Sequence, residues 1–248
     1  MTGGNQPNPT GANTIAAETV AAKTVAASTV AASTVAVWDL PIRLFHWLLA
    51  GLIVFAWWSA ETDHLAWHKI AGSAVAGLLV FRLWWGFFGG STARFADFLR
   101  GPRSILAYLS GKDHDRRIGH NPVGALSVVA LLATTLTLII AGLFASDTDG
   151  IESGPLSNWV DYDGSRLASK IHGYAFEALE ILIGLHILAI LFYTFAKRQP
   201  LVPAMIHGKT PAKDGELPLR HGGGLSLAIG VVLGGITAGV LIWLSGKS

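Results

Sequence analysis

Five long apolar runs constrain this chain more than any other feature. They lie at residues 41–59, 68–88, 122–145, 169–196 and 225–244. Each reaches or approaches the roughly 20 residues a helix needs to cross a bilayer. Backbone amides in lipid have no water to bond, so runs of this kind must be helical. Charged residues make up only 14% of the chain, against about 25% in a soluble domain. The sequence therefore predicts an all-α integral membrane protein. The formal net charge of +2 gives no basic footprint for nucleic acid, so the expected partner is lipid.

The loops sort by charge. Residues 89–121 hold Arg94, Arg100, Arg103, Lys112, Arg116 and Arg117, and residues 197–222 hold Lys197, Arg198, Lys209, Lys213 and Arg220. Residues 146–168 hold Asp147, Asp149, Glu152, Asp161 and Asp163 against Arg166, and the first turn after residue 59 carries Glu61 and Asp63. Basic loops stay inside. The expected orientation in a bacterial inner membrane has the N-terminus cytoplasmic and, after five spans, the C-terminus periplasmic.

Before the first span, residues 14–33 repeat a five-residue unit, TIAAE, TVAAK, TVAAS, TVAAS. A period of five suits neither helix nor strand. Residues 1–36 are therefore read as a disordered or weakly helical tail, 37–207 as a four-helix domain, and 208–248 as a linker with a fifth, glycine-rich helix. Those glycines suggest close packing or a peripheral position.

Four histidines lie within or at the ends of the apolar runs: His46, His68, His172 and His186. Histidine in lipid is costly and marks a site. His172 and His186 share one run. Fourteen residues are about 40° short of four turns, so both face one way, roughly 21 Å apart along the axis. Alternating spans put His46 and His186 toward the cytoplasm, and His68 and His172 toward the periplasm. The four thus sort into two opposed pairs at two depths.

Two imidazoles and no third ligand do not close a tetrahedral zinc site, which takes four. They do complete a haem, whose macrocycle supplies the other four. There are no cysteines, which excludes covalent haem attachment and iron–sulfur ligation. Small residues stand beside the histidines, as a macrocycle requires: Gly72, Gly173 and Gly184. The expectation is two non-covalent haems b, each with both axial positions filled, a state that favours electron transfer over oxygen chemistry.

The segments FHW around His46, HKIAG around His68, IHGY around His172 and GLHI around His186 resemble the bacterial cytochrome b561 family, which includes the cytochrome b subunits of nickel–iron hydrogenases. The likeness covers about residues 37–207. It implies a four-helix haem-binding bundle with two haems b, passing electrons between quinone and a redox partner. It also implies the axial roles for His46, His68, His172 and His186. The fifth helix and the N-terminal repeats lie outside that pattern.

Other residues carry weaker signals. Arg82 lies fourteen residues after His68 and so at the level of His46 and His186. It can neutralise a haem propionate or snorkel to headgroups. Arg43, one turn before His46, has a similar claim, or an interfacial one. His120, before the third span, can meet a propionate or a quinone carbonyl, or be an ordinary interfacial residue. His64 rivals His68 but sits among Glu61, Thr62 and Asp63. Glu177 and Glu180 interrupt the fourth span, and Glu180 can relay protons to quinone or face a groove. The acidic segment 147–163 can dock a basic periplasmic c-type cytochrome, or simply reflect charge sorting.

The leading expectation is a di-haem carrier between the quinone pool and a periplasmic redox protein such as a c-type cytochrome. The alternatives are a superoxide:quinone oxidoreductase, the membrane anchor of a hydrogenase-like complex, and a membrane protein with no redox role.

Overall fold

The computed structural model describes residues 34–99, 101–110, 119, 121–147, 152–211 and 219–247. Of the residues singled out above, His120, Arg100, Lys112, Arg116, Arg117, Asp149 and Lys213 lie outside these, as do residues 1–33 of the tail. The described residues are mostly helical, and five of the helices are long and apolar enough to cross a membrane. These are α1 (Leu40–Glu61), α2 (Leu65–Phe88), α5 (Pro122–Phe144), α6 (Tyr162–Phe195) and α8 (Gly224–Ser245). Three short helices, α3 (Phe95–Phe98), α4 (Pro102–Leu109) and α7 (Leu201–His207), lie in the connections.

The helix starts follow from local chemistry. Asp39 caps α1, accepting from the Ile42 amide at 3.0 Å, with a proline in the first turn. Asn121 caps α5 in the same way through Gly124 at 2.7 Å, again with a proline following. These side chains satisfy amides that have no partner within the helix.

Helix α6 departs from expectation. It begins at Tyr162, seven residues before the apolar run, capped by Asp161 onto the Gly164 amide at 2.8 Å. Its 34 residues span about 51 Å, well beyond a hydrocarbon core of roughly 30 Å. The extra turns are polar, so hydropathy could not see them. Serines hold them: Ser169 Oγ donates to the Ser146 carbonyl at 2.6 Å, and Ser146 Oγ lies 3.0 Å from Ser165 Oγ. The knot ties the start of α6 to the end of α5.

Two hairpins form, α1 on α2 and α5 on α6, and they meet where α2 touches α5. Helix α2 is the centre of the molecule, with 56% of its apolar window buried against 11–17% for the other four. Much of that burial comes from α8, which lies along α2. A Cβ on Gly77 would sit 2.5 Å from the Gly234 carbonyl oxygen, and one on Gly234 would sit 2.7 Å from that of Gly77. The backbones therefore cross in contact, the small-residue packing that membranes favour. Both readings of this helix hold: it packs closely on α2 and lies at the periphery, with most of its surface exposed.

One boundary moves. Thr34–Ala36, given above to the tail, is strand β1 and pairs antiparallel with β2 (Lys209–Pro211), from the segment read as linker. Val37 and Trp38 continue the attachment by donating to the Gly208 carbonyl at 2.8 and 3.3 Å. A three-residue strand has no periodicity to read. It exists only because residues 173 to 177 positions away in the chain come alongside.

Candidate functional site

Helices α1 and α6 bring His46 and His186 together, with ring centroids 6.4 Å apart and planes at 50°. Helices α2 and α6 bring His68 and His172 together, with centroids 6.0 Å apart and planes at 76°. These are the two pairings read from the sequence. Since His172 and His186 share α6, the pairs stand about 21 Å apart along it.

The spacing itself is informative. Imidazoles on opposite sides of one metal bond it at about 2.0–2.1 Å, and their ring centres lie roughly 1.1 Å behind the nitrogens, so centroids fall about 6 Å apart. Both pairs sit at that separation. Direct hydrogen bonding between the rings would bring them closer.

The outward nitrogens are equally specific at one pair. His68 Nδ1 lies 2.9 Å from the Ala56 carbonyl oxygen, and His172 Nδ1 lies 2.8 Å from that of Leu138. A carbonyl only accepts, so both Nδ1 atoms carry the proton. Each Nε2 is left with its lone pair, the arrangement that orients and strengthens a metal-ligating histidine. At the other pair His46 Nδ1 is buried with no hydrogen-bond partner among the described residues.

A cavity of about 240 Å³ opens at the His68–His172 pair, lined among others by Ala56, Gly72, Thr135, Gly142 and Gly173. A Cβ on Gly72 or Gly173 would meet nothing within 4 Å, while one on Gly142 would strike the His172 ring at 2.9 Å. The first two leave room for a flat macrocycle, and Gly142 leaves room for its ligand. The residues present thus fit haem: paired imidazoles at the right span, Nδ1 atoms held by carbonyls, and a largely apolar cavity with glycines in its wall.

Other sequence candidates are placed as follows. Arg82 is 3% exposed, so snorkelling is excluded. Its Nη1 has no hydrogen-bond partner among the described residues. Its guanidinium carbon lies 4.9 Å from the Phe95 ring centre and 6.0 Å from that of Phe45, the neighbour of His46. A buried cation with an open donor is what an acidic group of a cofactor would meet.

Arg43 turns instead to the end of α7, donating to the Ile206 carbonyl. Its neighbour one turn on, Trp47, reaches the Met205 carbonyl at 3.4 Å. Both bonds stabilise carbonyls that the helix leaves unpaired. His64 stacks on Trp58 at 5.7 Å and bonds Thr62 Oγ1 at 3.0 Å, so His68 alone faces His172. Glu177 and Glu180 are exposed, and α6 makes no substantial packing contact with α8.

Sequence reading missed Lys69 and the pair Tyr108–Tyr193. Lys69 lines the cavity and forms an ion pair with Glu152 at 2.9 Å. Tyr193 lies seven residues after His186, hence on the same face and about 10 Å further along. Its hydroxyl lies 2.8 Å from that of Tyr108 on α4. The helical interval from His186 was a readable signal for Tyr193. Nothing local pointed to Tyr108, or to Lys69 as the partner of Glu152.

A model of the prokaryotic cytochrome b561 family matches residues 37–208. The chain belongs to that family. No curated protein matches it. Membership makes this a membrane b-type cytochrome, a protein of electron transfer, and haem b the group its bundle serves. The match begins just after β1 and ends at Gly208, just before β2. Helix α8, which seals the side of α2, therefore lies beyond the family's matched region.

Proposed function

We propose that this cytochrome holds two haems b and conducts electrons across the bacterial inner membrane, between quinone at the cytoplasmic end and a periplasmic redox protein such as a c-type cytochrome. The carrying observation is the pair of imidazole couples at metal-spanning separation, at two depths on one helix. His46 and His186 would hold the haem nearer the cytoplasm, and His68 and His172 the one nearer the periplasm. When bound, each haem supplies a one-electron iron(III)/iron(II) couple. The protein supplies the rest. Ala56 and Leu138 carbonyls hold the two rings in the tautomer that presents Nε2. With an imidazole from each side the iron would have no open site, which would favour electron transfer over oxygen chemistry.

The orientation rests on the loop charges. At the cytoplasmic end, Arg82 offers an uncommitted donor to a propionate, while Arg43 secures α7. Tyr193 and Tyr108 place phenol hydroxyls on the His186 face, suited to the carbonyls of a quinone headgroup. At the periplasmic end the acids read as a docking surface divide. Asp161 caps α6, Glu152 pairs with Lys69 and Asp147 Oδ1 is buried, so among the described residues Asp163, exposed in the first turn of α6, is the acid freest to meet a basic partner. Lys69 is neutralised by Glu152, and Glu61 lines the same cavity. That balance gives an anion such as superoxide little attraction.

The test uses His186→Ala and His172→Ala. Each should lose a different component in redox titration, from a wild type with two haems per chain. His186→Ala should abolish reduction by quinol. His172→Ala should keep it and lose oxidation by a basic cytochrome c. Loss of one common component in both variants, or one haem per chain, would refute the proposal.

A further inference from the structure

The connection between α5 and α6 does more than join them. Residues 152–156 fold back over the end of α5. The Asp147 amide donates to the Glu152 carbonyl at 2.9 Å, that of Gly154 to the Ala145 carbonyl at 2.8 Å, and that of Leu156 to the Leu143 carbonyl at 2.8 Å. Gly154 is seated hard on the helix: a Cβ there would lie 2.2 Å from the Gly142 carbonyl oxygen and 2.6 Å from that of Leu143. Gly142 in turn has no room for a Cβ because the His172 ring occupies that space at 2.9 Å. Strap, α5 backbone and imidazole are therefore in series, with no slack between them. Closely packed groups transmit a displacement rather than absorb it.

The free end of the strap is tied across the cavity. Glu152 Oε2 lies 2.9 Å from Lys69 Nζ. Lys69 belongs to α2 and follows His68 directly. The ion pair thus joins the element behind one imidazole of the pair to the element carrying the other. Lys69, Gly154, Gly142 and both histidines line one cavity.

We propose that Lys69 and Glu152 are positioning residues for the His68–His172 iron site, acting as a latch that holds the strap against Gly142 and so fixes the His172 ring relative to His68. This rests on the reading that these two histidines ligate a haem. The latch has a consequence for partner choice. Glu152 is the half-exposed member of the pair, so a cationic partner can compete with Lys69 for it and alter the ligand geometry on docking.

The experiment separates geometry from simple charge. Purified protein in detergent, carrying its haems, is compared as wild type, Lys69→Met, Glu152→Gln and the exchange Lys69→Glu/Glu152→Lys. Positioning predicts that both single variants shift the low-field EPR signal of one haem in the same direction, because each releases the strap, and that the exchange restores it. The signal of the other haem, about 21 Å away along α6, should stay fixed in all four and reports that the bundle has assembled. If the single variants instead leave both EPR signals unchanged and move one midpoint potential in opposite directions, the pair acts only through its charges and the proposal falls. If a single variant loses the haem, Glu152→Asp keeps the charge, and its failure to retain the haem with a shifted signal also counts against the latch. Failure of the underlying reading looks different: His172→Ala would then leave both haem signals of the wild type intact.

Discussion

At the scale of single residues, the two histidine pairs are built unequally. His68 and His172 have their backs fixed by backbone carbonyls, while His46 Nδ1 is buried without a partner among the described residues. The His68–His172 site should therefore be the more rigid, and the more sensitive to packing around it. Gly142→Ala should show this, since the new methyl would enter the His172 ring position at 2.9 Å. Supporting groups around a metal ligand are typically worth about 10–100-fold in affinity. A loss of that order, confined to one haem, is expected in a haem titration of Gly142→Ala. Arg82→Met makes the complementary case at the other pair. A buried guanidinium with a free donor is expensive unless an anion meets it. Removing it should weaken retention of the His46–His186 haem and leave the other spectrum unchanged. If Arg82→Met instead raises thermal stability with both haems fully retained, the guanidinium meets no propionate.

At the scale of elements, α8 is the informative addition. It packs on α2 through Gly230, Gly234 and Ala238, against Gly77, Phe81 and Trp84. Trp84 Nε1 also donates to the Ser226 carbonyl at 2.9 Å, and Ser226 Oγ to that of Phe88 at 3.1 Å. A branched side chain at the crossing has nowhere to go. Gly234→Ile should cost about 1–3 kcal/mol, the usual penalty for overpacking, read as a lower melting temperature in detergent. Gly235→Ile is the control, because a Cβ there meets nothing within 4 Å. The N-terminal segment gives a second test. Deleting residues 2–33 should leave haem content and melting temperature unchanged. Extending the deletion through Ala36 removes β1 and its pairing with β2. That loss should cost about 1–3 kcal/mol, the net worth of a few hydrogen bonds.

At the scale of the whole molecule, the sorted charges and the two histidine pairs at two depths together define a direction. The absence of cysteine from the chain makes that direction easy to test. Single exposed positions can be labelled without background. Lys209→Cys, on the basic side, should react with a membrane-impermeant maleimide only after intact cells are broken. Asp163→Cys, on the acidic side, should react in cells whose outer membrane is permeable to the reagent. The reverse pattern would invert the molecule and exchange the assignments of the two haem sites, leaving the histidine pairing itself untouched.

How much of this was legible in the chain depends on the range of the interaction. Apolar runs gave the five spans because lipid leaves a backbone no choice but helix. The interval between His172 and His186 was equally visible, being local. Helix periodicity and alternating span direction were enough to pair four histidines across three helices. The polar start of α6 escaped because it stands outside the apolar run that hydropathy detects. The two strands, the Lys69–Glu152 pair and the Tyr108–Tyr193 contact escaped because each joins residues from 83 to 177 positions apart, and no local pattern encodes the meeting. The same holds for Arg43 and Arg82, alike in the sequence as basic residues near one end of the bundle. Only packing separates them: each keeps one buried nitrogen without a partner among the described residues, but α7 offers the Arg43 guanidinium a carbonyl, while Phe45 and Phe95 enclose that of Arg82. Composition and spacing determined that this chain spans a membrane and carries paired imidazoles. Tertiary contact decided what holds each imidazole in place, because that depends on which backbones meet.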